Sequence, residues 1–336
     1  GLAGLTNAWA EDSNTPVLFP VPTNTGISGR VVVVGGGMSG AAVAKYLRLW
    51  GGTGVTVTLV EASPSYTSNI MSNTVLTGQR TLASLNYTYN TLVSHYGVTR
   101  VNARVSGIDR AARYVTLETG GTISYDRLVL APGLDFDLMP GMSSLAEYDT
   151  LVPHAWKAGP QTQLLRNQLL AMPAGQNVVL TIPKSPYRCP PGPYERVCQV
   201  AHYFKGHKPR SRIVVLDANQ GITSKGPLFT RVWNELYKGM IDYRPNSNVV
   251  EVDARSRTAI TEFGDRVKAD VLNVVPPHSA GALAHRTGLV NANKRWCQVD
   301  WMTMESTAAR DVHVLGDATM PAPGMPKSGH MANQHG

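Results

Sequence analysis

The chain has 336 residues, of which 43% are hydrophobic and 16% are charged. This length indicates two or more domains, and this composition excludes a disordered protein. The formal net charge is +8, which is consistent either with solubility or with attraction of an anionic substrate or acidic partner. The basic residues do not alternate with aromatic ones, so a nucleic-acid surface is not indicated. No stretch approaches the roughly 18 apolar residues of a membrane-spanning helix.

The first 28 residues allow two interpretations. Ala8 and Ala10 flank Trp9, which matches the small-residue pattern that a signal peptidase reads, and an exported, periplasmic protein is then expected. A flexible N-terminus without a targeting role is the alternative. Residues 11–28, rich in Pro, Thr and Asn, are predicted to form a loose lead-in.

A strand, a glycine-rich turn and a helix follow in order. Residues 30–34 (RVVVV) predict a buried parallel strand, and residues 41–49 continue with apolar residues at helical spacing. Between them, Gly35, Gly37 and Gly40 satisfy the pattern GxGxxG. The first glycine permits the tight turn, the second lets the backbone approach a pyrophosphate, and the third lets helix and strand pack closely.

The start of this helix and the next strand complete a candidate dinucleotide site. Met38 stands in the glycine-rich turn, where free backbone N–H groups and the helix dipole favour a pyrophosphate. Residues 55–60 predict a second strand, which Glu61 closes 21 residues beyond Gly40. A carboxylate there accepts hydrogen bonds from ribose hydroxyls and repels a 2′-phosphate.

Two further segments favour FAD over NAD as the cofactor. Residues 311–318 (DVHVLGDA) resemble the second FAD motif of the glutathione-reductase-like flavoproteins, whose Asp bonds a ribityl hydroxyl. Residues 125–133 (YDRLVLAPG) resemble the strand and glycine turn that lead out of their FAD domain. The candidate FAD contacts in these segments are Ala131, Gly133, Gly316 and Asp317.

Residues 143–278 repeat the α/β pattern. Helices are predicted at 161–172 and 195–205, and strands at 178–182 and 212–217. Proline-rich residues 183–193 (PKSPYRCPPGP) stand where a second glycine-rich turn is expected, so no NAD site is predicted. The expected fold class is α/β with two Rossmann-like domains. The FAD-binding domain is discontinuous, residues 29–142 plus 279–336, and the second unit has an NAD-domain scaffold without a nucleotide site.

Three strings carry a closer family resemblance. Residues 189–196 (CPPGPYER), 153–159 (PHAWKAG) and 325–329 (MPKSG) resemble the flavoprotein subunit of flavocytochrome c sulfide dehydrogenase. The resemblance extends from about Gly29 to Gly336. The more distant sulfide:quinone oxidoreductases share the architecture.

The resemblance implies a sulfur chemistry centred on Cys189. In that family the matching cysteine forms a redox-active disulfide beside the flavin. Hydrosulfide attacks this disulfide, which forms a persulfide on one sulfur and releases the other as a thiolate. The released thiolate then passes two electrons to FAD. A c-type cytochrome subunit then accepts the electrons. Glu195 matches a candidate proton acceptor, although an acid in a first helical turn is also favourable by itself. Lys327, near a helix start, is either a cation that stabilises the reduced flavin or a surface lysine.

This sequence departs from the family pattern in two places. Asn69 aligns where members with covalently attached flavin carry a cysteine, and residues 66–73 contain none, so FAD is predicted to bind non-covalently. The chain also stops at residue 336, where the family continues into a C-terminal domain that carries the second cysteine of the disulfide. The partner of Cys189 is therefore expected to be absent, with Cys198 and Cys297 as small core residues.

The sequence indicates neither a metal site nor a haem site, and it leaves three functions open. The nine histidines are dispersed without metal-site spacing, so no metal is predicted. No CxxCH motif occurs, which places any haem on another chain. Three functions remain: a sulfide dehydrogenase flavin subunit with a cytochrome acceptor, a sulfide:quinone oxidoreductase, and a non-catalytic FAD-binding partner.

Overall fold

The computed structural model describes residues 17–336. The signal-peptide interpretation, which rests on Ala8 and Ala10, lies outside these residues. The chain forms two α/β units. It begins in the first unit, passes through the second and returns to the first. The predicted fold class is confirmed for the two units.

The first unit is built on a five-stranded parallel sheet. Its elements before the crossing are β1 (Gly29–Val34), α1 (Met38–Gly51), β2 (Val55–Val60), β3 (Ser65–Thr67), α2 (Ser72–Leu76), β4 (Asn86–Thr88), α3 (Asn90–Ser94), β5 (Thr99–Val101), β6 (Val105–Asp109), β7 (Tyr114–Leu117), β8 (Thr122–Ser124), β9 (Arg127–Leu130) and β10 (Leu134–Phe136). Strands β6, β7 and β8 form a separate antiparallel sheet. The valines of β1 are buried because β1 lies inside the parallel sheet, which explains its unbroken apolar run.

The second unit repeats the plan around a four-stranded parallel sheet. Its elements are α4 (Pro160–Ala171), β11 (Asn177–Ile182), α5 (Gly192–His207), β12 (Arg212–Asp217), α6 (Gly226–Leu236), β13 (Ile241–Arg244), β14 (Val249–Asp253), β15 (Thr258–Thr261), β16 (Arg266–Lys268) and β17 (Val271–Val274). The sheet order is β13-β12-β11-β17. Alternate residues of β11 contribute to two cores: Val178 and Leu180 pack against the helices, and Val179 packs on the opposite face.

The chain returns to the first unit through β18 (His278–Ala280), α7 (Ala282–Arg286), β19 (Val312–Val314) and α8 (Gly329–His335). Strand β19 joins the edge of the five-stranded sheet, whose order is β19-β9-β1-β2-β5. The outgoing strand β10 and the returning strand β18 pair antiparallel. Met139 and Met142 pack in the second unit's core, so the packing of that unit begins a few residues before the predicted residue 143.

The helix after β11 differs from its counterpart after β1. Helix α1 begins four residues after Val34, whereas α5 begins ten residues after Ile182. Helix α5 starts at Gly192, three residues before the predicted Glu195, because Pro193 is tolerated in a first helical turn. The longer, proline-rich loop replaces the glycine turn, and it carries Cys189 to the junction of the two units.

Candidate functional site

The glycines of the first turn have different surroundings. Gly35 has φ +98, and a Cβ there would collide with the carbonyl of Ala131. A Cβ at Gly40 would collide with the carbonyl of Gly35. At Gly37 the nearest atom is Cε2 of Tyr66, 3.9 Å from the position of a Cβ. Gly35 and Gly40 are therefore required by the turn and its packing, whereas Gly37 leaves open space beside the helix start.

The polar groups around this turn fit a dinucleotide. Helix α1 begins at Met38, and no side chain caps its N-terminus, which leaves backbone N–H groups for an anion. The carboxylate of Glu61 accepts hydrogen bonds from the N–H groups of Gly36 and Ser63, both at 2.7 Å. These contacts hold the acid at the end of β2, beside the glycine-rich turn.

The two segments predicted to complete the FAD site lie against this turn. Ala131 follows β9, and its N–H donates to Val34 at 2.8 Å. Gly133 and Gly316 have φ +65 and +73, and a Cβ at Gly316 would lie 2.7 Å from Oγ of Ser39 in α1. The segments are thus brought together by the parallel sheet, and the residues present fit FAD. Their individual contacts to it stay predictions.

The backbone around Cys189 is fixed from three sides. Cys189 has φ +58, a left-handed conformation that is rare outside glycine. Its N–H donates to the carbonyl of Lys327 at 2.6 Å, and its carbonyl accepts from Gly192 at 2.8 Å. The carbonyl of Arg188 accepts from the indole of Trp156 at 3.0 Å. These contacts hold the backbone of Cys189 in place at the junction of the two units.

The thiol of Cys189 lies at the N-terminus of α5. A Cβ built on Gly192 would lie 2.9 Å from the sulfur and 3.0 Å from the ring of Trp156. Burial and then the negative charge of Glu195 raise the pKa of Cys189, while Arg188 and the N–H of Gly192 oppose that rise. The thiol is therefore protonated at neutral pH, and forming a thiolate requires a proton acceptor.

Glu195 lies one turn along the same helix. Its Oε2 accepts a hydrogen bond at 3.2 Å from Nδ2 of Asn73, which also donates to the carbonyl of Gly192. Asn73 belongs to α2 of the first unit. The contact thus spans the two units and orients the carboxylate near the Cys189 thiol.

Asp317 lies opposite Cys189 across the junction. Its Oδ2 is 3.6 Å from Nη1 of Arg188, and both side chains are largely buried. The Arg188 guanidinium also donates to the carbonyl of Trp156. The predicted ribityl-binding acid is therefore next to the residue that precedes Cys189.

Lys327 is buried, not a surface lysine. Its amino group donates to the carbonyls of Asp317, at 2.9 Å, and Thr319, and it lies 3.6 Å from the ring centroid of Trp296. Burial lowers the pKa of Lys327 to about 8. Its role toward a flavin stays a prediction, because the described contacts are all to protein groups.

Asn69 connects the two units near the same junction. Its Oδ1 accepts a hydrogen bond from the N–H of Ala158 at 2.5 Å. Ala158 belongs to the string 153–159. The amide therefore has a structural contact of its own, and its relation to a flavin stays a prediction.

Two of the nine histidines also lie at this junction. His154 stacks on Phe136 with ring centroids 4.1 Å apart, and His278 meets the same ring edge-on at 5.0 Å. Burial and then nearby positive charge, on Arg196 and Arg188, lower the pKa of His154 to about 3; burial and then Arg188 lower the pKa of His278. Both are therefore neutral at physiological pH, and the lowered pKa makes each a weak proton acceptor.

The sequence interpretation missed several residues of the junction: Asn73, Trp156, Arg188 and Arg196. The signal was present, because both arginines lie in or beside the string 189–196 and Trp156 lies in the string 153–159. Their roles depend on packing between units that no local pattern reveals.

All three cysteines are free thiols. Cys297 is fully buried, and Cys198 accepts a hydrogen bond at 3.2 Å from the indole of Trp233. Within residues 17–336 no cluster of three His, Cys, Asp or Glu side chains is arranged to hold a metal ion. No helix in this part of the chain has the length and apolar character needed to cross a membrane.

Two families match overlapping parts of the chain. The pyridine nucleotide-disulphide oxidoreductase family matches residues 29–176, and the family described as "Sulfide dehydrogenase [flavocytochrome c] flavoprotein chain, central" matches residues 162–276. The second match includes Cys189 and Glu195.

Individual relatives agree with these matches. The mitochondrial sulfide:quinone oxidoreductase of Mus musculus is 24% identical over 308 residues, and that of Dictyostelium discoideum is 23% identical over 299. Each alignment covers 86% of this chain but only 65% of the relative. The structure of the sulfide:quinone oxidoreductase from Aquifex aeolicus superposes with a TM-score of 0.77 and 20% identity, over 92% of this chain and 74% of that one.

The fold, the geometry of the glycine-rich turn and the two family matches agree with one another. The resemblance first indicated by the strings around Cys189 is thereby confirmed. The chain is similar to the sulfide:quinone oxidoreductase-like flavoproteins, and its residues 162–276 match the central domain of the flavocytochrome c sulfide dehydrogenase flavoprotein chain.

Proposed function

We propose that this protein oxidises sulfide, with Cys189 as the residue that bonds the sulfur and FAD as the electron acceptor. The observation that carries the proposal is the position of the Cys189 thiol: it lies at the N-terminus of α5, with Glu195 on the same helix, inside the region that matches the sulfide dehydrogenase flavoprotein. The relatives named as sulfide:quinone oxidoreductases support the same substrate.

The chemistry at Cys189 is a two-electron oxidation. Joining one sulfide sulfur to the Cys189 sulfur forms a persulfide, releases two protons and releases two electrons. FAD, when bound, accepts the electron pair. Glu195 is placed to take a proton from the thiol or from hydrosulfide, and the first turn of α5 stabilises negative charge on the sulfur.

Arg188 and the net charge of +8 also favour this substrate. Arg188 opposes the rise in the pKa of Cys189, so its charge favours an anionic sulfur at this position. An overall positive potential increases the encounter rate with a small anion. Hydrosulfide is such an anion.

The test is anaerobic addition of sulfide to the purified yellow protein. Sulfide is expected to bleach the visible flavin absorbance of the wild type and of Cys198→Ser, and to leave the flavin of Cys189→Ser oxidised. Equal bleaching in Cys189→Ser would remove this residue from the mechanism. A flavin that stays oxidised in all three proteins would support the alternative of a non-catalytic FAD-binding partner.

A c-type cytochrome is the proposed final acceptor, because the matched family is named for flavocytochrome c. A quinone is the second candidate, supported by the relatives that are named for it. Stopped-flow mixing of the sulfide-reduced protein with a c-type cytochrome or with a short-chain quinone separates the two. Faster reoxidation by quinone than by cytochrome would overturn the first choice.

Non-covalent FAD and a periplasmic location complete the proposal. Asn69 cannot form a thioether, so acid precipitation is expected to release all flavin into the supernatant; flavin retained in the pellet would contradict this. The pattern Ala8-Trp9-Ala10 supports export. Fractionation of cells that express the full-length gene is expected to recover the protein with periplasmic markers and not in the cytoplasm.

A further inference from the structure

Arg196 is a fully buried guanidinium on α5, directly after Glu195. It is 3% exposed, and every hydrogen bond that it donates goes to a neutral amide oxygen. The acceptors are Oδ1 of Asn73, the carbonyl of His154 and Oδ1 of Asn273, each at 2.9 Å, and the carbonyl of Ala155 at 2.7 Å. The positive charge is thus solvated by the protein but is not neutralised by these contacts.

No carboxylate within residues 17–336 forms an ion pair with Arg196. Burial lowers the pKa of Arg196 to about 9, and the groups that oppose this are Cys189 first and Glu195 second. A buried charge without a partner is unfavourable, and an apolar side chain of similar volume is often tolerated in its place. A nearby anion would stabilise this buried charge, and the sulfur of Cys189 is the candidate.

Two side chains connect Arg196 to the thiol and to the acid. The ring centroid of Trp156 is 4.6 Å from the guanidinium carbon, and a Cβ built on Gly192 would lie 3.0 Å from the edge of this ring and 2.9 Å from the Cys189 sulfur. Asn73 accepts from Arg196 with its oxygen and donates to Glu195 with its nitrogen. One amide therefore orients both charged residues.

We propose that Arg196 is a positioning residue that stabilises an anionic sulfur on Cys189 and, through Asn73, orients Glu195. The inference rests on the proposed function only in assigning Cys189 as the sulfur-bonding residue. Around the thiol, Arg188 lowers the pKa of Cys189 and Glu195 and Asp317 raise it. The coupling to Arg196 is seen in the pKa of the guanidinium, which Cys189 raises.

The test measures the acidity of Cys189 without sulfide. The flavin-loaded full chain is alkylated with iodoacetamide across a pH series, and mass spectrometry of the Cys189 peptide gives the rate. Arg196→Met is expected to shift the profile to higher pH and to slow alkylation at pH 8 about tenfold, which corresponds to one pKa unit. Arg196→Lys keeps the charge and is expected to stay within about threefold of the wild type.

Arg231→Met is the matched control, because it removes one positive charge from an exposed position on α6. Its profile is expected to match the wild type. A profile of Arg196→Met that also matches the wild type would overturn the proposal. An equal shift in Arg231→Met would overturn it too, because the effect would then be one of net charge.

Asn73→Asp tests the same idea without creating a void. The new carboxylate neutralises Arg196 in place and is nearly isosteric, so the alkylation profile is expected to move to higher pH as in Arg196→Met. Circular dichroism and flavin content verify that each variant is folded. An Asn73→Asp profile unchanged from the wild type in folded protein would refute the role. Because the assay uses no sulfide, this result is independent of whether the chain oxidises sulfide.

Discussion

The N–H of Cys189 donates a hydrogen bond to the carbonyl of Lys327 at 2.6 Å. The donor belongs to the proline-rich loop of the second unit, and the acceptor precedes α8 of the first. The contact joins the candidate sulfur-bonding residue to the segment that follows the second FAD motif. It also helps hold Cys189 at φ +58, a conformation that costs free energy unless the surroundings enforce it.

Gly192→Ala is expected to destabilise the protein and to displace the thiol. The added methyl group would lie 2.9 Å from the Cys189 sulfur and 3.0 Å from the Trp156 ring, and overpacking of this kind costs about 1–3 kcal/mol. Gly206→Ala is the control in the same helix, because nothing lies within 4 Å of its Cβ. It is expected to stabilise the protein by up to about 1 kcal/mol. Urea unfolding measures both, and equal free energies of unfolding would contradict the packing.

Two glycines of the first turn are expected to respond differently to alanine. Gly40→Ala forces a collision with the carbonyl of Gly35, so both the thermal midpoint of the protein without flavin and its FAD affinity fall. Gly37→Ala meets no protein atom closer than 3.9 Å, so the thermal midpoint is expected to stay near the wild-type value while FAD affinity falls. Thermal denaturation and flavin titration test this; full FAD affinity in Gly37→Ala would exclude the predicted approach of the pyrophosphate.

Glu195→Gln is expected to make Cys189 more reactive toward alkylation. The charge of Glu195 raises the pKa of the thiol, so removing it lowers that pKa and increases the thiolate fraction at pH 8. The rate of iodoacetamide labelling is then several-fold higher, whereas sulfide-dependent flavin reduction slows because the proton acceptor is lost. Glu235→Gln, an exposed residue of α6, should change neither rate. A labelling rate of Glu195→Gln equal to that of the wild type would show that the two groups are not coupled.

Lys327 is expected to make stability depend on pH in the alkaline range. Its pKa is about 8 in the folded protein against an ordinary value of 10.5, so between these values the unfolded chain binds more protons than the folded one. The free energy of unfolding therefore rises with pH through this window, by at most about 1.4 kcal/mol per unit. Urea unfolding from pH 7.5 to 9.5 should show this rise for the wild type relative to Lys327→Met. A constant difference between the two proteins would contradict the lowered pKa.

The amino-acid sequence by itself determined the strand, turn, helix and second strand of the candidate dinucleotide site and their order. The valine run of β1, the glycines of the turn and the acid after β2 each act within a few residues, so their roles follow from local backbone geometry. The prolines after β11 likewise predicted a second unit without a glycine turn.

Only the tertiary structure decided what surrounds Cys189. The hydrogen bonds from Cys189 to Lys327 and from Asn73 to Glu195 join residues more than 100 positions apart. The burial of Arg196 and Lys327 likewise depends on residues that are distant in the sequence or that belong to the other unit. Such contacts depend on how β10 and β18 hold the two units together. A charge is stabilised or destabilised by its neighbours in space, and these neighbours are chosen by packing and not by sequence order.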